Sequence, residues 1–295
     1  MFHFSVGDLC RKLLLATAVA VAFPLAHAVE GATLSRIART GVITVGYIPT
    51  PGTFAFRNDA GETVGYSIDL CMRVLENVRR SLNRSEIRTV FRPLEASERI
   101  PFLKSGAIDI ECGGNTNTVA RQRDVDFSHT FFTTGVRFLV KKPCTVEKAS
   151  SLWRKRIAVP KGTTAQDKVV RLKIEQEVEP VLVANDAEGL RLVEAGTVAA
   201  FAQDDILLYG LVVTSKLKDE LEVCGAFMTV EPYAFMLPKG DAPFREIVDK
   251  TLLSMMQSGE VEAIYRKWFD TARLRAPMNV YMKENLRFPN KYGVP

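Results

Sequence analysis

The feature that most restricts the fold is an alternation of short apolar runs and longer helix-like runs, repeated in two blocks. Ile43 to Ile48 reads as a strand, and Ser67 to Ser81 as a helix with Ile68, Leu70, Cys71, Val74, Leu75 and Val78 on its apolar side. Ile87 to Leu94 reads as the next strand, and Ser97 to Ser105 as a short helix closed by Gly106. The rhythm resumes with Arg156 to Val159, Thr164 to Ile174, Val181 to Val183, Ala187 to Ala195, Val198 to Ala202 and Asp205 to Thr214, strand and helix in turn. Leu221 to Val223 and Tyr233 to Leu237 add strands, and helices over Pro243 to Gln257 and Val261 to Phe269 precede a polar tail rich in Pro and Asn. Such alternation implies an α/β architecture with sheets covered on both faces, and two blocks imply two lobes.

The first 28 residues stand apart from that pattern. Arg11 and Lys12 precede an apolar run from Leu13 to Ala26, and Ala26-His27-Ala28 supplies the small residues of a cleavage site, so residues 1–28 read as a secretory signal peptide cut after Ala28. No later run approaches the roughly eighteen apolar residues of a membrane helix. The expected product is exported and soluble, in the periplasm of a Gram-negative cell. The formal net charge of +5 is a mild excess, and no basic helix interleaved with aromatics appears, which argues against nucleic acid. Past the leader the only histidine is His129, and Cys71, Cys112, Cys144 and Cys224 have no CxxC spacing, which argues against a zinc site; no motif asks for a cofactor. Export permits disulfides, and four cysteines allow three complete pairings. Cys71 and Cys112 lie in apolar contexts that suit buried thiols, so no bond is expected between that pair, and Cys144 with Cys224 stays open. His129 reads as a surface or hinge histidine, and Trp153 and Trp268 as packing residues. The charges between Lys168 and Lys173 read as a solvated helix face.

Three strand-to-helix turns carry the chemistry. In AIDIECGGNTNTVARQRDVDFSHTFF, Ala107 to Cys112 is apolar enough for a buried strand, Gly113 and Gly114 break it, and Thr118 is a fair N-cap for a helix with Arg121 at its third position. That position favours an acidic partner for the helix dipole, so a guanidinium there either swings out into water or joins free N–H groups and the Thr116 and Thr118 hydroxyls in holding an anion. Pro160 to Thr164 repeats the arrangement with a glycine and hydroxyls, and taken alone it favours plain capping. Gln203-Asp204-Asp205 follows the strand ending at Ala202, where open α/β sheets bind ligands; Asp204 or Asp205 either caps the next helix or takes an ammonium group. One anion site and one cation site together suit a small zwitterion, an amino acid, in a cleft that closes and expels water.

With those turns in place, the chain resembles the periplasmic solute-binding proteins that deliver polar amino acids to ABC importers, and within them the glutamate/aspartate-binding branch. The resemblance runs from about Gly41 to Asp270, through GVITVGYIPTPGTFAF, GYSIDL, the Thr118 to Ser128 T-x-x-R-x-x-x-x-x-F-S pattern, the GTT turn, EAGTVAAFAQDD and MMQSGEVEAIYRKWF. It implies a two-lobed type II binding-protein fold with a central cleft and two hinge strands, placed at Arg137 to Lys141 and Tyr233 to Leu237. Lobe 1 would comprise residues 29–138 and 233–295, lobe 2 residues 139–232. It further implies that Arg121, Thr116 and Thr163 hold the ligand α-carboxylate, Asp204 the α-ammonium, Phe54 an apolar wall, and that Arg99 faces the ligand side chain. A membrane permease would be the partner of a monomeric protein. Where the acidic-amino-acid binders carry Arg, Ser, Ser and His, this chain has Ile48, Ala96, Gly114 and Asp186. Asp186 would repel an acidic side chain unless it pairs with Arg99, so a neutral polar ligand such as glutamine or asparagine, or a different carboxylate-bearing metabolite, is open beside glutamate. Two other functions remain: an exported enzyme on the same fold, as cyclohexadienyl dehydratases are, with Glu95, Glu98, Asp186 or Asp205 as acid or base, and a sensor or interaction module that no longer binds.

Overall fold

The computed structural model describes residues 31–295 except 147, 148, 273, 275 and 277. The leader expectation therefore lies outside the described residues. Among those residues no helix is long and apolar enough to cross a membrane.

Two five-stranded sheets form the two lobes. The first orders Arg88–Pro93, Val42–Tyr47, Ile110–Glu111, Met236–Pro238 and Val125–Phe127 side by side. Its first three strands are parallel, and Met236–Pro238 runs antiparallel to both neighbours. The second sheet orders Glu179–Val183, Arg156–Pro160, Ala200–Asp204, Val136–Lys141 and Leu221–Cys224, again three parallel strands followed by two antiparallel ones. The architecture is thus α/β with two lobes, as the alternation implies. Val42–Tyr47 shows why local sequence suffices: Ile43, Val45 and Tyr47 are buried, and Gly46 has Ile108 and Leu94 where a side chain would sit. Helix Tyr66–Ser81 buries Ile68, Leu70, Cys71, Val74, Leu75 and Val78 against this sheet. Each such side chain contributes roughly 1.5–3 kcal/mol, so Val78→Asp would open that seam.

Between the sheets the chain crosses twice, along Phe132–Thr134 and Glu231–Tyr233, which pair with each other antiparallel. This moves the hinge from its expected place. Val136–Lys141 lies wholly in the second sheet and Met236–Pro238 in the first, so the crossing occupies the residues just before each. Phe132 and Tyr233 anchor both crossing strands to the lobe 1 core, in an aromatic cluster with Phe54, Tyr66, Tyr265 and Phe269. At the lobe 2 end, a side chain on Gly135 would lie 2.3 Å from the Thr229 carbonyl, so only glycine lets the two chains pass there.

Two further expectations are corrected. Cys71 and Cys112 are bonded, with Cα atoms 6.1 Å apart, because the helix Tyr66–Ser81 lies over the end of strand Ile110–Glu111 and brings buried sulfurs 41 residues apart into contact. Cys144 and Cys224, left open, are also bonded. Trp153 is half exposed, its ring under the Arg154 guanidinium at 4.3 Å, and is not a packing residue. Trp268 does pack on the core and donates to Asp69 at 2.7 Å. His129 faces Asp249, with Nδ1 3.0 Å from its carboxylate. The polar tail contains a helix at Val280–Arg287 that buries Met282. From it Asn279 and Asn285 donate to the carbonyls of Thr133 and Thr130 beside the crossing.

Candidate functional site

The carboxyl ends of the parallel strands in both sheets converge on one interlobe cavity. Its wall includes Ile48, Ala96, Arg99, Gly114, Thr116, Arg121, Thr163, Asp186 and Asp204, all but one of the residues to which the family resemblance gives a place around the ligand. The exception is Phe54, which is wholly buried in the lobe 1 core, its ring between Tyr66, Phe132, Tyr233 and Phe269. It lies behind the wall and does not line it. The sequence reading missed Thr50, Pro160, Thr164, Ala184, Asn185, Gln203 and Leu207, which complete the lining.

On the lobe 1 side the Arg121 turn forms only in part as expected. Thr118 does cap, its Oγ1 accepting from the Arg121 N–H at 3.1 Å, but the helix is a single 3-10 turn over Arg121–Arg123. Arg121 therefore sits at the start of that turn and reaches back, donating to the Thr116 carbonyl at 2.9 Å and across the cleft to the Gly162 carbonyl at 3.3 Å. Arg99, 4% exposed, donates to the Asn115 Oδ1 at 3.0 Å and to the same Gly162 carbonyl at 3.1 Å. Its Nε has no partner. Two guanidiniums on one neutral carbonyl repel each other. Burial, then the neighbouring Arg121, holds Arg99 down at about 9, and burial lowers Arg121 as well.

From lobe 2, the helix Thr164–Gln176 opens at Thr163, whose hydroxyl accepts from Gln166 N–H and donates to the Pro160 carbonyl. The plain capping reading is thus met at Thr163, and its hydroxyl is already engaged. Asp204 behaves differently. It stands at the N-cap of Asp205–Thr214 yet makes no capping bond. One carboxylate oxygen accepts from the Tyr233 hydroxyl, and the other, Oδ1, is buried with no partner. Burial, then Glu231, pushes this carboxyl well above the usual range. Asp186, expected either to pair with Arg99 or to stand against the ligand, instead accepts from Gln203 Nε2 at 2.8 Å. Burial raises it to about 6, opposed by that bond and reinforced by Glu95.

Behind the wall lie two groups that the sequence reading did not single out. Glu111, fully buried, accepts from the Asn115 Nδ2, and burial pushes it to about 7 against the pull of Arg99. A carboxylate inside an apolar strand was a signal available in the sequence, since such a group needs a partner. Tyr233 fills the space beside Gly114, where a side chain would lie 2.5 Å from its ring. Across the cleft Thr164 Oγ1 donates to Glu231 at 2.9 Å. These contacts leave the lobes nearly shut on a cavity of about 40 Å³, room for roughly three waters. Of the groups weighed for catalysis, Glu95 and Asp186 line the cavity, Glu98 is half-buried ahead of helix Arg99–Ser105 and accepts from the Glu95 N–H, and Asp205 is tied to Thr134.

Sequence comparison agrees with this geometry. The description "bacterial extracellular solute-binding proteins, family 3" matches residues 43–271. The chain belongs to this family. Among its relatives, the L-glutamate/L-aspartate-binding protein of Pseudomonas aeruginosa is 33% identical over 288 residues, 94% of this chain and 95% of its own. The glutamate/aspartate import solute-binding protein of Escherichia coli (strain K12) is 34% identical over 241 residues, 81% of this chain and 80% of its own. Among solved structures, the ancestral amino acid-binding protein AncCDT-1, a precursor of cyclohexadienyl dehydratase, superposes with a TM-score of 0.69 at 26% identity, covering 80% of this chain and 98% of its own. As a family 3 solute-binding protein the chain has relatives named for binding.

Proposed function

We propose that this protein is the exported binding component of an ABC importer and captures a polar amino acid between its lobes. The observation that carries the reading is Asp204 Oδ1, a carboxylate oxygen buried without a partner in a cavity that also holds the buried Arg99 and the half-buried Arg121 guanidiniums. Leaving such an oxygen unpaired is costly, and an ammonium group is the partner that removes the cost. Arg121 and Arg99 rest on the Gly162 carbonyl, a neutral acceptor that a carboxylate outcompetes through charge-assisted, bidentate geometry.

In this reading Arg121, Thr116 and the opening turn at Thr163 hold the α-carboxylate, Asp204 holds the α-ammonium, and Arg99, Asp186, Ile48 and Gly114 face the side chain. Entry requires the lobes to part about the crossing strands Phe132–Thr134 and Glu231–Tyr233 and close again over the ligand, with Val136–Lys141 moving as part of lobe 2. The relatives' acidic ligands and import role support an amino acid and a membrane permease as partners, and the leader read over residues 1–28 supports delivery to the periplasm. An enzyme on the same fold has one observation in its favour, the likeness to a precursor of a dehydratase. It needs a cavity carboxyl near neutrality, which Asp186 provides, and a second group that exchanges a proton with the same substrate atom; the side chain that Asp186 bonds is Gln203, an amide that neither gives up nor takes a proton near neutrality.

Thermal unfolding of the protein, freed of carried-over ligand by unfolding and refolding, tests the binding reading against a panel of common L-amino acids. A true ligand at a hundred times its dissociation constant adds about 2.7 kcal/mol, a shift of several degrees. No shift with any amino acid would overturn it.

A further inference from the structure

The cavity wall offers two cationic side chains, Arg99 and Arg121, and three anionic ones, the inward Asp186 and Asp204 and the exposed Glu95. No arginine of the wall pairs with a carboxylate of the wall. Arg99 and Arg121 both bond backbone or amide oxygens, Asp204 bonds Tyr233, and Asp186 bonds Gln203. Gln203 holds the two aspartates apart, donating to Asp186 and accepting from the Asp204 N–H at 3.0 Å. A zwitterion's α-carboxylate and α-ammonium use one cation and one anion, Arg121 and Asp204 on the functional reading above, upon which this step rests. The buried remainder is one donor, the partnerless Arg99 Nε, and one acceptor, the second oxygen of Asp186, which has no protein partner among the described residues; the solvent-exposed Glu95 adds its negative charge on the Asp186 side.

From this remainder we infer that the site selects a primary carboxamide side chain, that of glutamine or asparagine, with Asp186 as the residue that rejects the carboxylate. A carboxamide presents one acceptor and two donors at a single carbon, so its oxygen can meet Arg99 while its nitrogen meets Asp186. A carboxylate has acceptors only. It satisfies Arg99 and sets its charge against Asp186 in a water-poor cavity, where like charges are costly. A cationic side chain suits Asp186 and faces Arg99. An alkyl chain leaves both polar groups unpaired, a loss that a site built to hydrogen-bond its ligand punishes heavily. The inference departs from the acidic ligands for which the two relatives are named.

Calorimetric titration of the refolded, ligand-free protein at pH 7.5 with L-glutamine, L-asparagine, L-glutamate, L-aspartate, L-serine, L-arginine and L-leucine decides the matter. The expected result is that an amide binds at least tenfold more tightly than every other member. Asp186→Asn should then shrink the preference for the amide over its acid at least tenfold, while the isosteric Asn keeps the contact to Gln203. Acidic, cationic, hydroxyl or alkyl side chains binding as well as the amides would overturn the carboxamide assignment and leave amino-acid capture standing. An amide preference unmoved by Asp186→Asn would overturn the role of Asp186. No binding by any member would overturn the capture reading itself.

Discussion

Asp204→Asn gives the sharpest test of the site, because binding and stability should move in opposite directions. In the folded protein the Asp204 carboxyl is 5% exposed, keeps one oxygen without a partner and lies near Glu231 and Asp186, so burial and like charges raise its pKa well above the ordinary carboxylate range. A carboxyl raised in the folded state favours folding below its unfolded value near pH 4 and loses that contribution as pH rises through the folded value. Asparagine cannot ionise and can still accept from Tyr233, so the ligand-free variant should melt higher than the parent at neutral pH. Binding should weaken. A charge-assisted bond to the ligand ammonium is worth about 1.5–3 kcal/mol, an amide oxygen recovers part of it, and the ammonium left without a counter-charge adds a desolvation cost. The net loss is about 2–4 kcal/mol, roughly 30-fold to 1000-fold in dissociation constant. Calorimetry with the ligand found by the panel measures the second effect, and scanning calorimetry without ligand measures the first. Affinity within threefold of the parent would remove Asp204 from the ligand. A lower melting temperature in the ligand-free variant would show instead that the carboxylate is satisfied in the fold.

Other residues make separable predictions. Glu111 is raised from 4.5 to about 7, so its contribution is complete below about pH 4.5 and is lost as pH rises through 7, about 3 kcal/mol in all; urea titrations should show Glu111→Gln gaining that much on the parent between pH 4.5 and 8, and a gap independent of pH would refute an ionising Glu111. Phe54→Ala should cost about 3–5 kcal/mol of stability with ligand affinity little changed, whereas a large affinity loss in a well-folded variant would return Phe54 to the wall. A chain stopped after Phe288 loses the bonds of Asn290, Lys291 and Val294 to Thr130, Asn117 and Val119, so hydrogen exchange should speed up over residues 117–121 and affinity should fall; unchanged exchange there would mean the tail does not brace the Arg121 turn. Replacing Cys71 and Cys112 together by Ala opens a 41-residue loop and should cost about 4 kcal/mol in the chain-entropy account, with an unchanged urea midpoint counting against that bond.

What the sequence disclosed and what it withheld divide along one physical line. Strand and helix periodicity is local, so the alternation that builds both sheets could be read directly, and so could the strand-end turns carrying Arg121, Thr163 and Asp204. The errors all concern contacts between distant segments. Cys71 and Cys112 look alike as buried thiols or as a disulfide until helix and sheet are superposed. Phe54 sits one layer behind the cavity, a distinction that no local pattern encodes. The hinge was placed one strand late at its first crossing, because Val136–Lys141 has the apolar look of a crossing strand and is in fact an ordinary member of the second sheet.

The tail makes the same point from the polar side. Its asparagines and proline suggest coil, since Asn competes with the backbone for hydrogen bonds and disfavours regular structure. That same capacity lets Asn279 and Asn285 serve main-chain carbonyls on a distant segment and lets Asn279 cap its own helix. Asn290 extends the run, giving its carbonyl to the Thr130 N–H and its side-chain amide to Asn285. The segment those residues hold, from Asn117 to Thr133, contains Arg121 and leads into the first crossing strand, so the tail ties the ligand-facing turn of lobe 1 to the crossing about which the lobes must move. Closure therefore loads a continuous, hydrogen-bonded element and not an isolated loop, which is the condition for a guanidinium to meet its ligand in one fixed orientation.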